Sequence, residues 1–445
     1  MISRRAVLLA ALAVAGCRPR VSIPDARRPL GPLPQAPPRD GRLLAKALRF
    51  EAAMIPHLTP EGLVLSERRD PPDPNDPLNA QDAAIWTGCY VAAEAFRWMA
   101  TRDPAAAERL DRGLAGLHLL HDATGVPGVL ARMVKRASGP VPREWPTWRQ
   151  GSGPWRAFRW LGDVSVDQYA GVFFGYAAAF EALEEDAPHR EEIARRVAAL
   201  VDRLIAHEWR IVDADGRPTK HGDLAGGALT EPLNSLLALT FAKVAVSVTR
   251  AERFDRAYAT LLDRGYGRAA VRARDPWWEY LFGVNHSDNN LAYLGLYPLI
   301  RLERDPELVE RYREALGRVW GVVRAEGNPF FAFITQAVED PGWRDETALA
   351  LAMDTLTRFP FPKRDETVVN STRRDVCRAW FDDRHGAPQA CRPVPVDERP
   401  RSSFEWASNP YRLDRRGDPR VSLAGVDYLV AYWLGRRHGF LADAQ

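Results

Sequence analysis

The chain has 445 residues, of which 46% are hydrophobic and 27% are charged, a composition typical of a globular protein with a large core. Its 61 basic and 58 acidic residues leave a formal net charge of only +3, so the charge gives no indication of a nucleic-acid partner. The hydrophobic content also excludes extended disorder over most of the chain.

The first residues have the pattern of an export signal. A basic pair, Arg4 and Arg5, precedes the apolar run of residues 6–16, which is too short to cross a bilayer as a helix. The end of the run, "AVAGC", resembles a bacterial lipobox, and this resemblance implies that Cys17 is lipidated. "SRRAVLL" resembles the twin-arginine export signal, while the Sec route stays open as the alternative. We therefore expect a lipid-anchored protein of the bacterial cell envelope, on the periplasmic or outer-membrane face.

Three segments follow from this pattern. Residues 1–16 form the export signal, and the proline-dense residues 17–40 predict an extended tether. Residues 41–440 then form a single domain, which the tether holds away from the membrane.

Helices of two kinds alternate along this domain. Residues 104–122, 189–209 and 306–326 carry apolar residues at spacings of three and four with charged residues between them, which predicts amphipathic helices. Other helices are apolar or small on nearly every face, which indicates that protein surrounds them. These predicted inner helices start near residues 82, 165, 231, 288, 345 and 424, and the fifth covers 345–359. The helix at 41–55 is expected to pack against the last of them, at 426–437.

A helical hairpin repeated about six times is a repeat architecture. It resembles the (α/α)6 toroid of the six-hairpin glycosidase superfamily and of several polysaccharide lyases. The resemblance covers about residues 40–440 and implies an all-α fold with an inner and an outer ring of six helices. It also implies a carbohydrate, neutral or acidic, as the partner.

Polar and acidic residues gather where the inner helices begin, including Asp82, Asp163, Asp167, His286 and Asp288. Such residues commonly cap helices, because they accept hydrogen bonds from free backbone amides. In a toroid, however, the inner helices run parallel and their starts share one mouth. A site for a polyhydroxylated ligand is therefore the alternative to simple capping.

Hydrolysis of a glycosidic bond needs one carboxylic acid and one carboxylate. The predicted catalytic residues are Asp167 and Asp288, followed by Asp82, Glu231 and His286. A helix start lowers the pKa of a carboxylate, which suits a base, so the acid is expected from a loop residue such as Glu279 or Glu405. Further side chains are predicted to bind the sugar: Arg132, Asp163, Tyr169, Asn234, Trp278, Asn289 and Trp406.

Two other functions stay open. Polysaccharide lyases of this architecture commonly use Asn, His and Tyr, and "NHSDNNLAY" offers Asn285, His286 and Tyr293, with Tyr169 and Arg132 as companions. A lyase or epimerase that acts on uronic-acid polysaccharides is therefore the second hypothesis. A protein that binds glycans or assists envelope assembly without turnover is the third hypothesis.

The remaining cysteines and histidines indicate no metal site or cofactor. An oxidising compartment permits a disulfide between Cys377 and Cys391, with free thiols as the alternative. His118 and His121 lie three residues apart, but no third ligand accompanies them. No phosphate-binding or dinucleotide-binding motif occurs in the sequence.

Overall fold

The protein is described by a computed structural model that covers residues 41–71, 81–137, 148–226, 232–274, 285–340, 342–377 and 389–442. Its helices in chain order are α1 (Arg42–Met54), α2 (Ala83–Thr101), α3 (Pro104–Asp122), α4 (Val166–Ala182), α5 (Pro188–Ala206), α6 (Pro232–Thr249), α7 (Glu252–Asp263), α8 (Tyr266–Ala270), α9 (His286–Leu302), α10 (Pro306–Val323), α11 (Pro329–Val338), α12 (Glu346–Arg358) and α13 (Val426–Arg437).

Six of these helices form a closed inner ring. Helix α2 packs on α4, α4 on α6, α6 on α9, α9 on α11, α11 on α13, and α13 again on α2. Each of them is buried on most of its surface, as the apolar sequences predict. The prediction of an all-α (α/α)6 toroid is confirmed.

The other long helices form the outer ring. Helix α3 packs on α2, α5 and α7 on α6, α10 on α9, α12 on α11, and α1 on α13. The predicted contact between the first helix and the last inner helix is therefore present. One continuous hydrophobic cluster runs from Leu43 to Leu441 and joins the two rings.

The fifth inner helix was wrongly predicted. The inner position belongs to α11, which is buried at nine of its ten residues, whereas α12 within residues 345–359 lies in the outer ring. Helix α12 has a polar face, with Glu346 and Thr357 exposed. Because α11 has only ten residues, its apolar sequence "PFFAFITQAV" is too short to show a clear helical period.

Most connections from an outer helix to the next inner helix, at the mouth of the ring, are long, and several of them contain short antiparallel strands. The exception is the connection from α10 to α11, which consists of residues 324–328. The strands are β1 (Glu67–Arg69), β2 (Met133–Arg136), β3 (Trp148–Gln150), β4 (Phe158–Leu161), β5 (Arg210–Val212), β6 (Pro218–Asp223), β7 (Val376–Cys377), β8 (Gln389–Ala390) and β9 (Val421–Leu423). Strand β1 pairs with β9, β4 lies between β2 and β3, β5 pairs with β6, and β7 with β8. At the opposite end of the ring, the inner helices connect to the outer ones by short turns.

Glycines allow α2 and α4 to touch backbone to backbone. A Cβ atom on Gly88 would lie 2.0 Å from the carbonyl oxygen of Gly171, and one on Gly175 would lie 2.5 Å from that of Gly88. Gly171 also approaches Ile85, three residues before Gly88, so the two helices run parallel. This register brings their first turns side by side.

A buried charge cluster lies deeper along α2. Glu51 of α1 accepts hydrogen bonds from Arg109 and from the indole of Trp433, and it pairs with Arg97 at 3.2 Å. Glu94 also pairs with Arg97 at 3.4 Å, while its second oxygen has no partner. Burial, followed by the nearby Glu51, raises the pKa of Glu94 well above its usual range. The cluster joins α1, α2, α3 and α13.

Cys391 is disulfide-bonded, and Cys89 is free and buried. Cys377 lies on β7, paired beside Gln389 of β8. The side chain of Cys377 lies outside the described residues, so its pairing with Cys391 stays a prediction.

Candidate active site at the mouth of the ring

The close contact of α2 and α4 positions Asp82 against the first turn of α4. The amide of Gln168 donates to Asp82 Oδ1 over 3.0 Å, and Arg132 Nη2 approaches the same oxygen at 3.4 Å. Asp82 stands at the N-cap position of α2 but makes no capping hydrogen bond with its side chain. Its carboxylate, half exposed, is therefore directed into the mouth and does not serve the helix.

At the start of α4 the helix is capped by Ser165 and not by Asp167. Ser165 and Gln168 form a capping box, in which Gln168 accepts hydrogen bonds from the amide and the hydroxyl of Ser165. For Ser165, the capping interpretation is correct. Asp167, two residues later, is thereby left free of the capping role.

Asp167 lies half-buried in the first turn of α4, and its pKa is raised. Burial is the largest cause, and the carboxylates of Asp82 and Asp288 add to it, against the lowering effects of its own backbone amide and of Arg132. Three carboxylates from three inner helices thus act on one another at the mouth. The expectation that a helix start lowers the pKa of such a residue is wrong for Asp167.

Arg274 fixes the third carboxylate. Its Nη1 donates to Asp288 Oδ2 over 3.2 Å, and its Nε donates to Asn289 Oδ1 over 2.7 Å. Its Nη2 donates to the carbonyl of Asn285 over 3.1 Å, so one guanidinium binds three residues at the start of α9. Arg274 was not among the residues predicted from the sequence. Its position shortly before the polar start of α9 was the only available signal.

Arg132 binds the start of α2 as Arg274 binds the start of α9. Its Nε donates to the carbonyl of Gln81 over 2.8 Å, and its Nη1 donates to the carbonyl of Asp163 over 3.0 Å. With its third contact to Asp82, the guanidinium is committed to protein groups. Arg132 therefore orients the mouth, and the structure gives no support to a clamp on an acidic sugar by this residue.

His286 does not face the mouth. It is 6% exposed, its Nδ1 lies 3.7 Å from Glu326 Oε1, and its ring lies 6.3 Å from that of Tyr411. Burial, followed by Arg274 and Arg399, lowers the pKa of His286 to about 3, so the imidazole is neutral at pH 7. The prediction of a catalytic role for His286 is therefore not supported by its position.

Two of the predicted sugar-binding residues, Tyr169 and Asn234, make structural contacts within the ring. Tyr169 is buried against Phe173 and Phe241, with ring centroids 6.1 and 5.9 Å away. Asn234 donates to the carbonyl of Asp223 over 2.8 Å, which holds strand β6 to α6. Neither side chain joins the three carboxylates.

Two more predicted residues have structural contacts. Asp163 accepts a hydrogen bond from the backbone amide of Lys220 over 2.9 Å. Trp406 is 1% exposed and donates its indole N–H to the carbonyl of Asp427 over 2.6 Å. A sugar cannot stack on Trp406 in this position.

Glu405, one of the two loop residues expected to supply the acid, is engaged inside the protein. Glu405 is buried, and its Oε1 accepts from Arg399 Nε over 2.6 Å. Glu279, Glu231, Trp278 and Cys17 lie outside the described residues, so their predicted roles stay predictions. Asn289 is fully buried, with its amide oxygen bound to Arg274 and its Nδ2 without a partner.

The residues proposed for elimination chemistry are dispersed. Tyr293 is fully buried, its ring stacks on Phe331 at 4.2 Å, and its hydroxyl lies 3.2 Å from Thr335 Oγ1. Burial raises the pKa of Tyr293 far above its usual range. The structure therefore keeps this phenol neutral and away from the mouth.

The residues that the structure does bring together are Asp82, Asp167 and Asp288, with Arg132 and Arg274 behind them. One carboxyl group with a raised pKa beside two carboxylates that face guanidinium groups is an arrangement suited to acid–base chemistry. Within the part of the chain that the structure describes, no group of three or more His, Cys, Asp or Glu side chains has the geometry of a metal site.

Comparisons with known proteins give similarity in structure only. No family model and no curated protein matches the chain. Similar solved structures include D-mannose isomerase, at 14% identity and a TM-score of 0.44 over 92% of this chain and 99% of that chain. Cellobiose 2-epimerase from Spirochaeta thermophila matches at 13% identity and a TM-score of 0.45 over 90% and 97%. A GH76 α-mannanase from Bacteroides thetaiotaomicron matches at 9% identity and a TM-score of 0.46 over 89% and 96%. At these values the likeness carries no argument about the reaction.

Proposed function

We propose that this protein is a glycoside hydrolase whose site lies at the mouth of the toroid. The observation that carries the proposal is the raised pKa of Asp167 between Asp82 and Asp288. A carboxyl group that holds its proton to higher pH is suited to protonate a leaving-group oxygen. We therefore assign to Asp167 the role of general acid, which the sequence had suggested for a loop residue.

Asp288 is the proposed second carboxylate. Arg274 fixes its orientation through Oδ2, and it lies on a different inner helix from Asp167. In the proposed reaction Asp167 donates its proton to the glycosidic oxygen, and the bond from this oxygen to the anomeric carbon breaks. Asp288 either activates the water that supplies the new hydroxyl group or attacks the anomeric carbon first, according to the separation of the two carboxyl groups. Asp82 helps to keep Asp167 protonated.

A panel of neutral, uronic and sulfated glycans tests this proposal. Hydrolysis releases new reducing ends without an unsaturated sugar, whereas elimination from a uronic acid produces an unsaturated sugar that absorbs in the ultraviolet. We expect reducing ends alone. An unsaturated product would show a lyase, and isomerised sugar without chain cleavage would show an epimerase.

Elimination or epimerisation through Asn285, His286 and Tyr293 has less support. Tyr293 and His286 are buried and bonded to other protein groups. An enzyme that abstracts a proton beside a carboxylate also needs a cation for that carboxylate, and Arg132 and Arg274 are both engaged with the protein. A glycan-binding protein without turnover is the remaining alternative, and binding without any product in the panel would identify it.

We also propose that the protein is exported and anchored to the cell envelope through a lipid on Cys17. The lipobox-like "AVAGC" and the proline-rich residues 17–40 support this proposal. Growth of expressing bacteria with a labelled fatty acid is expected to label the parent protein and to leave a Cys17→Ser variant unlabelled. A soluble, unlabelled parent protein would contradict the proposal.

A further inference from the structure

The segment Arg399–Tyr411, here called the plug, fills part of the mouth. Phe404 stacks on Trp86 of α2 with ring centroids 4.3 Å apart, and its edge meets Phe330 of α11 at 6.4 Å. Tyr411 lies against His286 of α9. The plug thereby contacts the first turns of three inner helices through aromatic rings.

The plug also contacts a fourth inner helix, α13. The backbone amide of Glu405 donates to Asp427 Oδ2 over 2.8 Å, and the indole of Trp406 donates to the carbonyl of Asp427. The amide of Asn328, at the start of α11, donates to the carbonyl of Trp406 over 3.4 Å. The plug thus covers a continuous arc of the ring, from α9 through α11 and α13 to α2.

The plug is braced internally as well. Arg399 binds Glu405, and Arg401 donates hydrogen bonds to the carbonyls of Val396, Arg399 and Asp397. Phe404, Glu405 and Trp406 are each 1% exposed. Buried aromatic rings and charge-assisted hydrogen bonds of this density make a fixed wall.

The carboxylates of Asp82, Asp167 and Asp288 lie next to the plug. Asp82 is the N-cap residue of α2 and Asp288 lies in the first turn of α9, and these two helices are the ends of the arc that the plug covers. Asp167 lies on α4, outside the arc that the plug covers through the contacts of the described residues. A glycan that reaches the carboxylates from the side of α4 and α6 meets the plug immediately beyond them. A chain that continues in both directions across the mouth would have to pass through Phe404 and Trp86.

We propose that the plug makes this a closed-ended site, which accepts the end of a glycan chain and releases a short terminal unit. This inference rests on the proposed hydrolase function and specifies its substrate class. A site that crosses the whole mouth would instead cleave chains at interior bonds.

The test uses the full-length protein, a series of linear oligosaccharides of the glycan identified by the panel, and a cyclic oligosaccharide without ends. We expect one short product from the earliest time points and no cleavage of the cyclic compound. Mixed products of intermediate length, or cleavage of the cyclic compound at a comparable rate, would overturn the inference while leaving the hydrolase proposal intact. No hydrolysis of any glycan would overturn both.

A pair of variants tests the plug itself. Phe404→Ala removes the ring that covers Trp86, and Phe440→Ala removes a ring at the opposite end of the toroid, where Phe440 packs on Phe333 at 5.8 Å. We expect Phe404→Ala to raise the ratio of interior to terminal cleavage by about tenfold, equivalent to about 1.4 kcal/mol, and Phe440→Ala to leave it unchanged. An unchanged ratio in a folded Phe404→Ala protein would overturn the role of the plug. If that variant does not fold, the product pattern of the parent protein decides.

Discussion

Lys363 and Asp427 form a buried ion pair that ties the plug to α13. Their side chains are 1% and 0% exposed, and Lys363 Nζ donates to Asp427 Oδ2, to the carbonyl of Ser403 over 3.1 Å and to that of Ala424 over 3.3 Å. Asp427 also accepts from the backbone amides of Glu405 and Tyr428. Every hydrogen bond of the ammonium group is therefore made inside the protein.

Lys363→Met removes the cation and leaves the carboxylate of Asp427 buried with its two backbone hydrogen bonds but without an opposite charge. Removal of one partner from a buried pair costs about 3–5 kcal/mol of folding free energy. Burial already raises the pKa of Asp427, and Lys363 is the largest opposing influence, so the variant raises this pKa further. A group whose pKa is raised by folding contributes stability at low pH that is lost as the pH rises through its folded pKa. The loss in Lys363→Met is therefore expected to be larger at pH 8 than at pH 5.

Urea unfolding followed by tryptophan fluorescence measures this effect at both pH values. The double variant Lys363→Met with Asp427→Asn carries no buried charge at this position, and we expect it to recover at least about half of the loss at pH 8. Unfolding free energies within about 0.5 kcal/mol of the parent at both pH values would refute the reasoning, because a surface substitution has an effect of that size.

Three further variants separate catalysis from stability. Asp288→Asn should lower kcat by about 10²–10⁴-fold and leave the thermal unfolding midpoint nearly unchanged; a large loss of stability with full activity per folded molecule would show a structural role. Glu94→Gln mimics the protonated carboxyl group. As the pH rises above the unfolded pKa of about 4.3, the unfolding free energy of the parent should therefore fall by up to about 1.4 kcal/mol per pH unit more than that of the variant. Denaturant titrations at several pH values measure this difference, and parallel profiles would contradict it. Tyr293→Phe should retain activity in the reducing-end assay, and a loss exceeding about 100-fold would revive the elimination mechanism.

The fold was predictable because helical periodicity and burial repeat along the chain. Apolar character on every face marked the starts of α2, α4, α6, α9 and α13, and these helices are indeed the inner ring. The prediction failed at α11, whose ten mostly apolar residues give fewer than three helical turns. The shortness of α11, and not its composition, hides its helical period.

The carboxylates at the mouth were predictable, but their environments were not. Asp82, Asp167 and Asp288 were selected because they stand at helix starts, whereas the pKa of Asp167 depends on a register set by Gly88 and Gly171. The burial of His286 was not predictable, because Glu326 and Tyr411, which lie beside it, are distant in sequence. Arg274 was not predicted, because its role depends on three hydrogen bonds that form only in the folded chain.

The central claim is that Asp167 donates the proton to the leaving group. The most direct measurement compares Asp167→Asn with the parent on the cleaved glycan and on a dinitrophenyl glycoside of the same sugar, whose leaving group needs no proton. The account predicts a loss of about 10²–10⁴-fold on the glycan and a much smaller loss on the dinitrophenyl glycoside. Equal losses on both substrates, or full activity on the glycan, would contradict it.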